Sequence, residues 1–236
     1  RGHPQLAGAR AEPFAVWLDG WRLEQMQPGV WSLTASAADV SIRLRLRDAA
    51  PVLLQGDSGL SRKGPEQASY YFSIPGFNVD GSLLLNGEEH LVSGGGWYDR
   101  EWSTSVLSEG QSGWDWFALR FESGASLMAF ALRRDDGQLD PYNYAISVAP
   151  DGSERRFAAT DFALEPQRYW QDGDGTRWPV AWSIGFGDDR YSVVAALDDQ
   201  RMETSIVYWE GLVYVYDQRQ QRIGQGYMEL TGYSDE

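Results

Sequence analysis

An all-β fold, sandwich or barrel, is predicted by three features of this 236-residue chain. Short apolar runs alternate with polar residues at a period of two. Asp-Gly and Asn-Gly pairs recur between those runs. No long stretch has a convincing helical period. The clearest strand is at 40–47, where Val40, Ile42, Leu44 and Leu46 alternate with Ser41, Arg43, Arg45 and Arg47, giving one apolar and one cationic face. Similar runs lie at 14–18, 69–73, 82–85, 114–121, 126–133, 142–148, 190–196 and 212–216. The pairs Asp80-Gly81, Asn86-Gly87, Asp136-Gly137 and Asp151-Gly152 are expected as tight turns, because they accept positive φ. Asp172-Gly173 and Asp174-Gly175 mark a longer loop. The polar, glycine-containing stretch 108–113 is expected to separate a domain 1–108 from a domain 109–236. No repeat of about 40 residues is present, so the lone Trp114-Asp115 pair is no sign of a propeller.

Composition narrows the function. Thirty-four acidic residues against 20 basic ones give a net charge of −14, which disfavours nucleic acid and anionic membrane surfaces. That charge does not oppose an uncharged apolar ligand. With no cysteine, disulfides and thiol catalysis are excluded. Only His3 and His90 supply imidazole, so a zinc site of the usual kind is not expected, and no cofactor is implied. No run of about 18 apolar residues exists to span a membrane as a helix. Eleven Trp and twelve Tyr exceed what a plain core requires. Nothing in the sequence sets an oligomeric state.

The densest segment is Gly94-Gly95-Gly96-Trp97-Tyr98-Asp99-Arg100-Glu101-Trp102. On a strand, Trp97, Asp99 and Glu101 share one face and Tyr98, Arg100 and Trp102 the other. The glycines admit a backbone or ligand at close range. Gly113-Trp114-Asp115-Trp116-Phe117 follows, with Trp114 and Trp116 on one face. A carboxyl group in an apolar pocket can stay protonated and act as an acid, and indole faces stabilise a nearby cation. Adding water to a carbon–carbon double bond needs both. The bland alternative stays open: Trp and Tyr on barrel strands also serve as core, and Asp99, Arg100 and Glu101 also suit a structural ion-pair cluster.

These runs, with Leu127-Met128, Arg177-Trp178-Pro179, Tyr208-Trp209-Glu210-Gly211 and Gly226-Tyr227-Met228-Glu229-Leu230-Thr231-Gly232-Tyr233, resemble the signatures of the AttH and carotenoid 1,2-hydratase family. The resemblance runs from about Leu6 to Tyr233. It implies two lipocalin-like, calycin-type antiparallel barrels in tandem. Family members usually carry an upstream strand rich in Trp and Tyr, and none precedes Leu6, so the first barrel is expected to be incomplete. The hydratase branch implies Asp99 as proton donor. The aromatic neighbours implied for an apolar isoprenoid or lipid ligand are Trp97, Tyr98, Trp102, Trp114 and Trp116, with Arg100 and Glu101 beside them. Hydratases more often carry His then Asn where this chain has Arg100 and Glu101. Asp-Arg-Glu-Trp-Ser is similar to the branch labelled secreted hydrolases, which implies a periplasmic or secreted address. Arg100 stays protonated and cannot act as a base. No Gly-x-Ser-x-Gly elbow supports a serine hydrolase, and His90, just after the Asn86-Gly87 turn, reads as a surface or strand-end residue. Two functions are therefore expected to compete: a cofactor-free lyase or isomerase using Asp99, and a non-catalytic carrier or chaperone-like binder of the cell envelope. A structural surface protein would leave the aromatic signature unexplained.

Overall fold

The computed structural model describes residues 6–103, 107–203 and 207–234; His3 lies outside them. All regular structure among these residues is strand, in two antiparallel sheets. No helix among them is long and apolar enough to cross a membrane. By packing, the chain forms two compact units, one of Arg1–Leu53 with Ser73–Asp99, the other of Leu54–Phe72 with Arg100–Glu236. These units are not the contiguous domains 1–108 and 109–236. The segment 54–72 joins the second unit because its backbone is tied there. Arg156 donates to the carbonyls of Leu54 and Gly56 at 2.7 and 2.6 Å. Gln111 donates to the Lys63 carbonyl at 2.9 Å, so the stretch expected as a link is itself anchored.

The first unit opens as a meander of β1 (Ala7–Arg10), β2 (Ala15–Leu18), β3 (Trp21–Gln27), β4 (Val30–Ala37) and β5 (Val40–Asp48). Two short strands, β6 (Leu53–Leu54) and β7 (Leu60–Arg62), precede the long β8 (Ala68–Leu85) and β9 (Glu88–Trp102). Register places Leu23 opposite Leu33, Leu33 opposite Leu44 and Leu44 opposite Gly81, an apolar row across four strands. This row corrects the expected turn at Asp80-Gly81. Gly81 lies inside β8, where an added Cβ would sit against the Arg43 carbonyl. The runs expected at 69–73 and 82–85 are therefore the two ends of one strand. The hairpin closes at Asn86-Gly87 instead, with φ of 51° and 84°, the left-handed pair that a two-residue turn needs.

The second unit is dominated by β10 (Gln111–Phe121), β11 (Ser126–Arg134), β12 (Tyr144–Val148), β13 (Glu154–Ala158), β14 (Phe162–Gln171), β15 (Arg177–Phe186), β16 (Asp189–Ala195), β17 (Arg201–Glu203), β18 (Val207–Tyr216) and β19 (Arg222–Thr231). Their order is β13-β12-β11-β10-β19-β18-β16-β15-β14, with β17 on β18. The sheet curls until its edge strands approach. Phe157 of β13 meets Phe186 of β15 at 5.0 Å, and Phe162 of β14 stacks on the same ring at 5.8 Å. β14 escaped the periodicity reading because Glu165, Pro166, Gln167 and Arg168 interrupt it. A proline is tolerated on an edge strand, and the register shifts around Pro166 and Arg168 absorb it.

The inward face carries the main core, with Trp178, Trp182 and Trp209 fully buried. A buried indole needs a partner for its N–H. Trp178 donates to Asp172 at 3.0 Å, Trp182 to the Pro179 carbonyl at 3.0 Å and Trp209 to the Asp198 carbonyl at 2.7 Å. Each ring thus fills volume without stranding a polar atom. Trp182→Ala is expected to destabilise the second unit by about 3–5 kcal/mol, the usual cost of truncating a buried aromatic. Urea unfolding followed by circular dichroism checks this, and a loss under about 1 kcal/mol would show that the core does not rest on this ring.

Candidate functional site

On β9 the glycine run ends in a close contact. An added Cβ at Gly96 would lie 3.2 Å from Val79 and 3.5 Å from Phe77, whereas Gly94 has nothing within reach. Gly96 therefore lets β9 lie tight against the Phe77 region of β8. Trp97 and Tyr98 follow, and both border an apolar cavity of about 100 Å³ with Trp31, Leu33, Ile74 and Phe77. Trp31 organises this hollow. Its ring meets Phe14 at 5.3 Å and Phe77 at 6.4 Å, both edge-on, and stacks on Tyr98 at 6.5 Å. Its indole N–H is held by Asp48 at 2.8 Å. Trp97 and Tyr98 both reaching one cavity departs from the strict face alternation expected of them.

Asp99 is half-buried, one residue beyond that wall. The fully buried Ser73 donates its hydroxyl to the Asp99 carboxylate, and Ser73 directly precedes the cavity-lining Ile74. A hydroxyl donates to a carboxylate and accepts from a carboxylic acid, so Ser73 suits either protonation state of Asp99. Ser73 closes the apolar run at 69–73 but carried no chemical motif. Only the pairing of β8 with β9 brings it to Asp99.

The remaining expected residues lie in the second unit. Trp102 is half exposed; it stacks on Tyr70 at 5.8 Å and meets Phe72 edge-on at 6.4 Å. The Arg100 guanidinium lies 5.7 Å from the Trp102 ring. Glu101 forms an ion pair with Lys63 at 2.7 Å, and Lys63 also lies over Phe130 at 5.7 Å. On β10, Trp114 donates to Glu229 at 2.8 Å and meets Tyr208 at 6.1 Å; Trp116 is half-buried on the same face. By unit, Trp97, Tyr98 and Asp99 belong to the first, and Arg100, Glu101, Trp102, Trp114 and Trp116 to the second. His90 is exposed on β9, as its place after the turn suggested. Among the described residues, no three His, Asp or Glu side chains converge to hold a metal ion.

One charged cluster lies outside the expected site residues. Asp115 alternates with Trp114 and Trp116, so it faces inward and is buried. It accepts from Arg133 at 2.5 Å and from the Tyr233 hydroxyl at 2.9 Å. Arg133 also donates to the Thr231 carbonyl, and its guanidinium lies 3.9 Å from the Tyr233 ring. Tyr233 in turn packs against Trp178 at 5.7 Å. Burial pushes the Asp115 carboxyl up to about 6, against the opposing pull of Arg133 and Tyr233.

The AttH-like family model matches residues 1–233. The chain belongs to the AttH-like family. A crystal structure of a protein assigned as an AttH from Nitrosomonas europaea superposes with a TM-score of 0.87 at 35% identity, covering 94% of this chain and 70% of that one. Kievitone hydratase of Nectria haematococca superposes at 0.73 with 16% identity, over 93% of this chain and 70% of its own. At that identity the likeness concerns the fold, which is the lipocalin-like, all-β fold of the family. In sequence, kievitone hydratase of Fusarium solani subsp. phaseoli is 22% identical over 177 residues, 71% of this chain. The chain spans about half the length of that curated relative.

The Asp115 cluster generates a pH prediction. A carboxyl whose folded pKa of about 6 lies above its unfolded value of about 3.9 binds more protons folded than unfolded between those values. Its contribution to stability therefore rises as pH falls through about 6 and levels off near 4. Carboxyls held low, such as Asp172 under the Trp178 indole N–H, lose stability only at lower pH. Relative to Asp115→Asn, the wild type is expected to gain up to about 3 kcal/mol between roughly pH 7 and 4. Urea unfolding of both proteins across that range checks this; a pH-independent difference would show that Asp115 does not titrate there.

Proposed function

We propose that the first unit holds part of an apolar, alkene-containing small molecule, an isoprenoid or lipid, and that Asp99 protonates it in a cofactor-free hydration. The observation that carries this reading is the placement of a Ser73-held carboxyl next in sequence to the two aromatic residues, Trp97 and Tyr98, that wall an apolar cavity. Family membership, with hydratases among the relatives, supports it. In the forward step, protonated Asp99 gives its proton to one alkene carbon and becomes a carboxylate. The positive charge at the other carbon is stabilised by the indole faces of Trp97 and Trp31. A solvent water adds its oxygen there, and the proton it sheds returns to Asp99. Atoms and charge balance, and no metal or redox partner enters. The reverse sequence is a dehydration, so the same groups serve a lyase.

A carrier reading is favoured by one observation. Asp99 is not among the walls of the cavity. In that reading the aromatic wall grips one end of an apolar ligand and Asp99 is a structural partner of Ser73. The Asp-Arg-Glu-Trp-Ser segment supports a periplasmic or secreted address for either activity.

Asp99→Asn separates the two readings. It keeps the shape and removes the transferable proton, so turnover of a polyene is expected to fall by about two to four orders of magnitude, with ligand affinity little changed. Ser73→Ala is expected to cost about tenfold or more in turnover, the value of one hydrogen bond to a charged group. Alcohol formation measured by chromatography is the readout, with melting temperature on the same samples. Undiminished turnover in folded Asp99→Asn would remove the acid from the mechanism; binding without turnover in the wild type would establish the carrier.

A further inference from the structure

At the seam of the second unit, where β13 and β14 approach, two hollows share Arg155 and Phe157. One is a groove of about 510 Å³ that carries Arg155, Arg156 and Arg190 against the single acid Asp161. The other, about 440 Å³, is walled by Phe121, Leu127, Phe157, Phe186, Tyr191 and Ile223, with Glu122 and Asp189 as its acids. Both volumes fall within the roughly 300–1,000 Å³ of small-molecule sites. In a chain of net charge −14, a groove with three arginines to one aspartate runs against the overall sign.

The three arginines do different work. Arg156 is committed to the fold through the Leu54 and Gly56 carbonyls and Glu154. The Arg155 guanidinium lies 4.7 Å from the Phe157 ring, on the wall common to both hollows. Arg190 pairs in register with Gly185, and a Cβ at Gly185 would lie 2.7 Å from its Nη1. Glycine opposite arginine thus leaves space for the guanidinium to lie across the strand. Among the described residues, neither Arg155 nor Arg190 has a carboxylate at ion-pair distance. Two cations without such a partner beside an aromatic hollow are complementary to a molecule with an anionic head and an apolar body.

We propose that this seam binds a small amphipathic anion, fatty-acid-like, with its carboxylate at Arg155 and Arg190 and its chain among Phe121, Phe186 and Ile223. Planar guanidinium groups suit a carboxylate head. The residues of this site all belong to the second unit, and the proposal does not depend on the hydration reading.

Isothermal titration of the whole chain with dodecanoate tests it. One saturable site is expected, weakened at least about tenfold, or about 1.4 kcal/mol, in Arg155→Gln/Arg190→Gln. Dodecyltrimethylammonium, with the same tail and opposite charge, is expected not to compete. Trp31→Leu, in the first unit, is expected to leave dodecanoate affinity unchanged. Ile223→Trp fills the apolar hollow without touching either arginine and is expected to weaken binding as well; it decides the matter if the double variant does not fold. No saturable binding, equal binding of the cationic surfactant, unchanged affinity in the folded variants, or loss in Trp31→Leu would each overturn the proposal.

Discussion

Side chains on a pleated strand alternate between two faces, and on β10 that alternation decides where chemistry and packing go. Asp115, Phe117 and Leu119 turn inward and are buried, while Trp114 and Trp116 face the other way. A register slip of one residue would put two indoles where the Asp115–Arg133–Tyr233 cluster stands and would expose the Phe117 contact with Trp182 at 5.3 Å. The cluster itself draws on three separate places: β10, β11 and the residues after β19. Its hydrogen bonds therefore help to fix register, although burial makes the ionised carboxylate costly at neutral pH. The three buried tryptophans of the same unit follow the same logic, each with its N–H directed to a named acceptor.

The first unit is built with less buried volume and with a different centre. Ala15, Leu53, Ile74 and Phe77 are among its few buried apolar residues. Trp31 stands among Phe14, Phe77 and Tyr98, and the cavity forms at that junction. In the proposed reading this hollow of large rings supplies apolar surroundings and π faces for a cation, and the Ser73-bonded carboxyl next in the chain supplies the proton. The seam of the second unit has another character, with guanidinium groups beside aromatic rings.

The strand content was legible because alternation and turn dipeptides are local. Asn86-Gly87 turned where expected, and 40–47 kept its apolar and cationic faces. Asp80-Gly81 does not turn, because its glycine answers to a close approach by the neighbouring backbone of Arg43, which is not local. β14 was hidden by a proline that only its edge position tolerates. Of the site, the aromatic wall at Trp97 and Tyr98 was legible from density and spacing. Trp31 and Ser73 were not, since nothing in their own segments marks them and only pairing across strands brings them to the cavity and to Asp99. Arg100 stood beside Asp99 in sequence, yet its guanidinium lies on Trp102, a contact that one-dimensional adjacency does not reveal. Asp115 is marked by alternation alone, which places it opposite two indoles on a buried face.

In the proposed reading an apolar alkene occupies the first unit and gains water there. The most direct measurement is native mass spectrometry of the protein with the small molecule it retains from its host, followed by incubation in heavy-oxygen water. The expected result is a bound apolar alkene that acquires one heavy oxygen atom on the wild-type protein. A retained ligand without a carbon–carbon double bond, or an alkene that never takes up heavy oxygen, would contradict it.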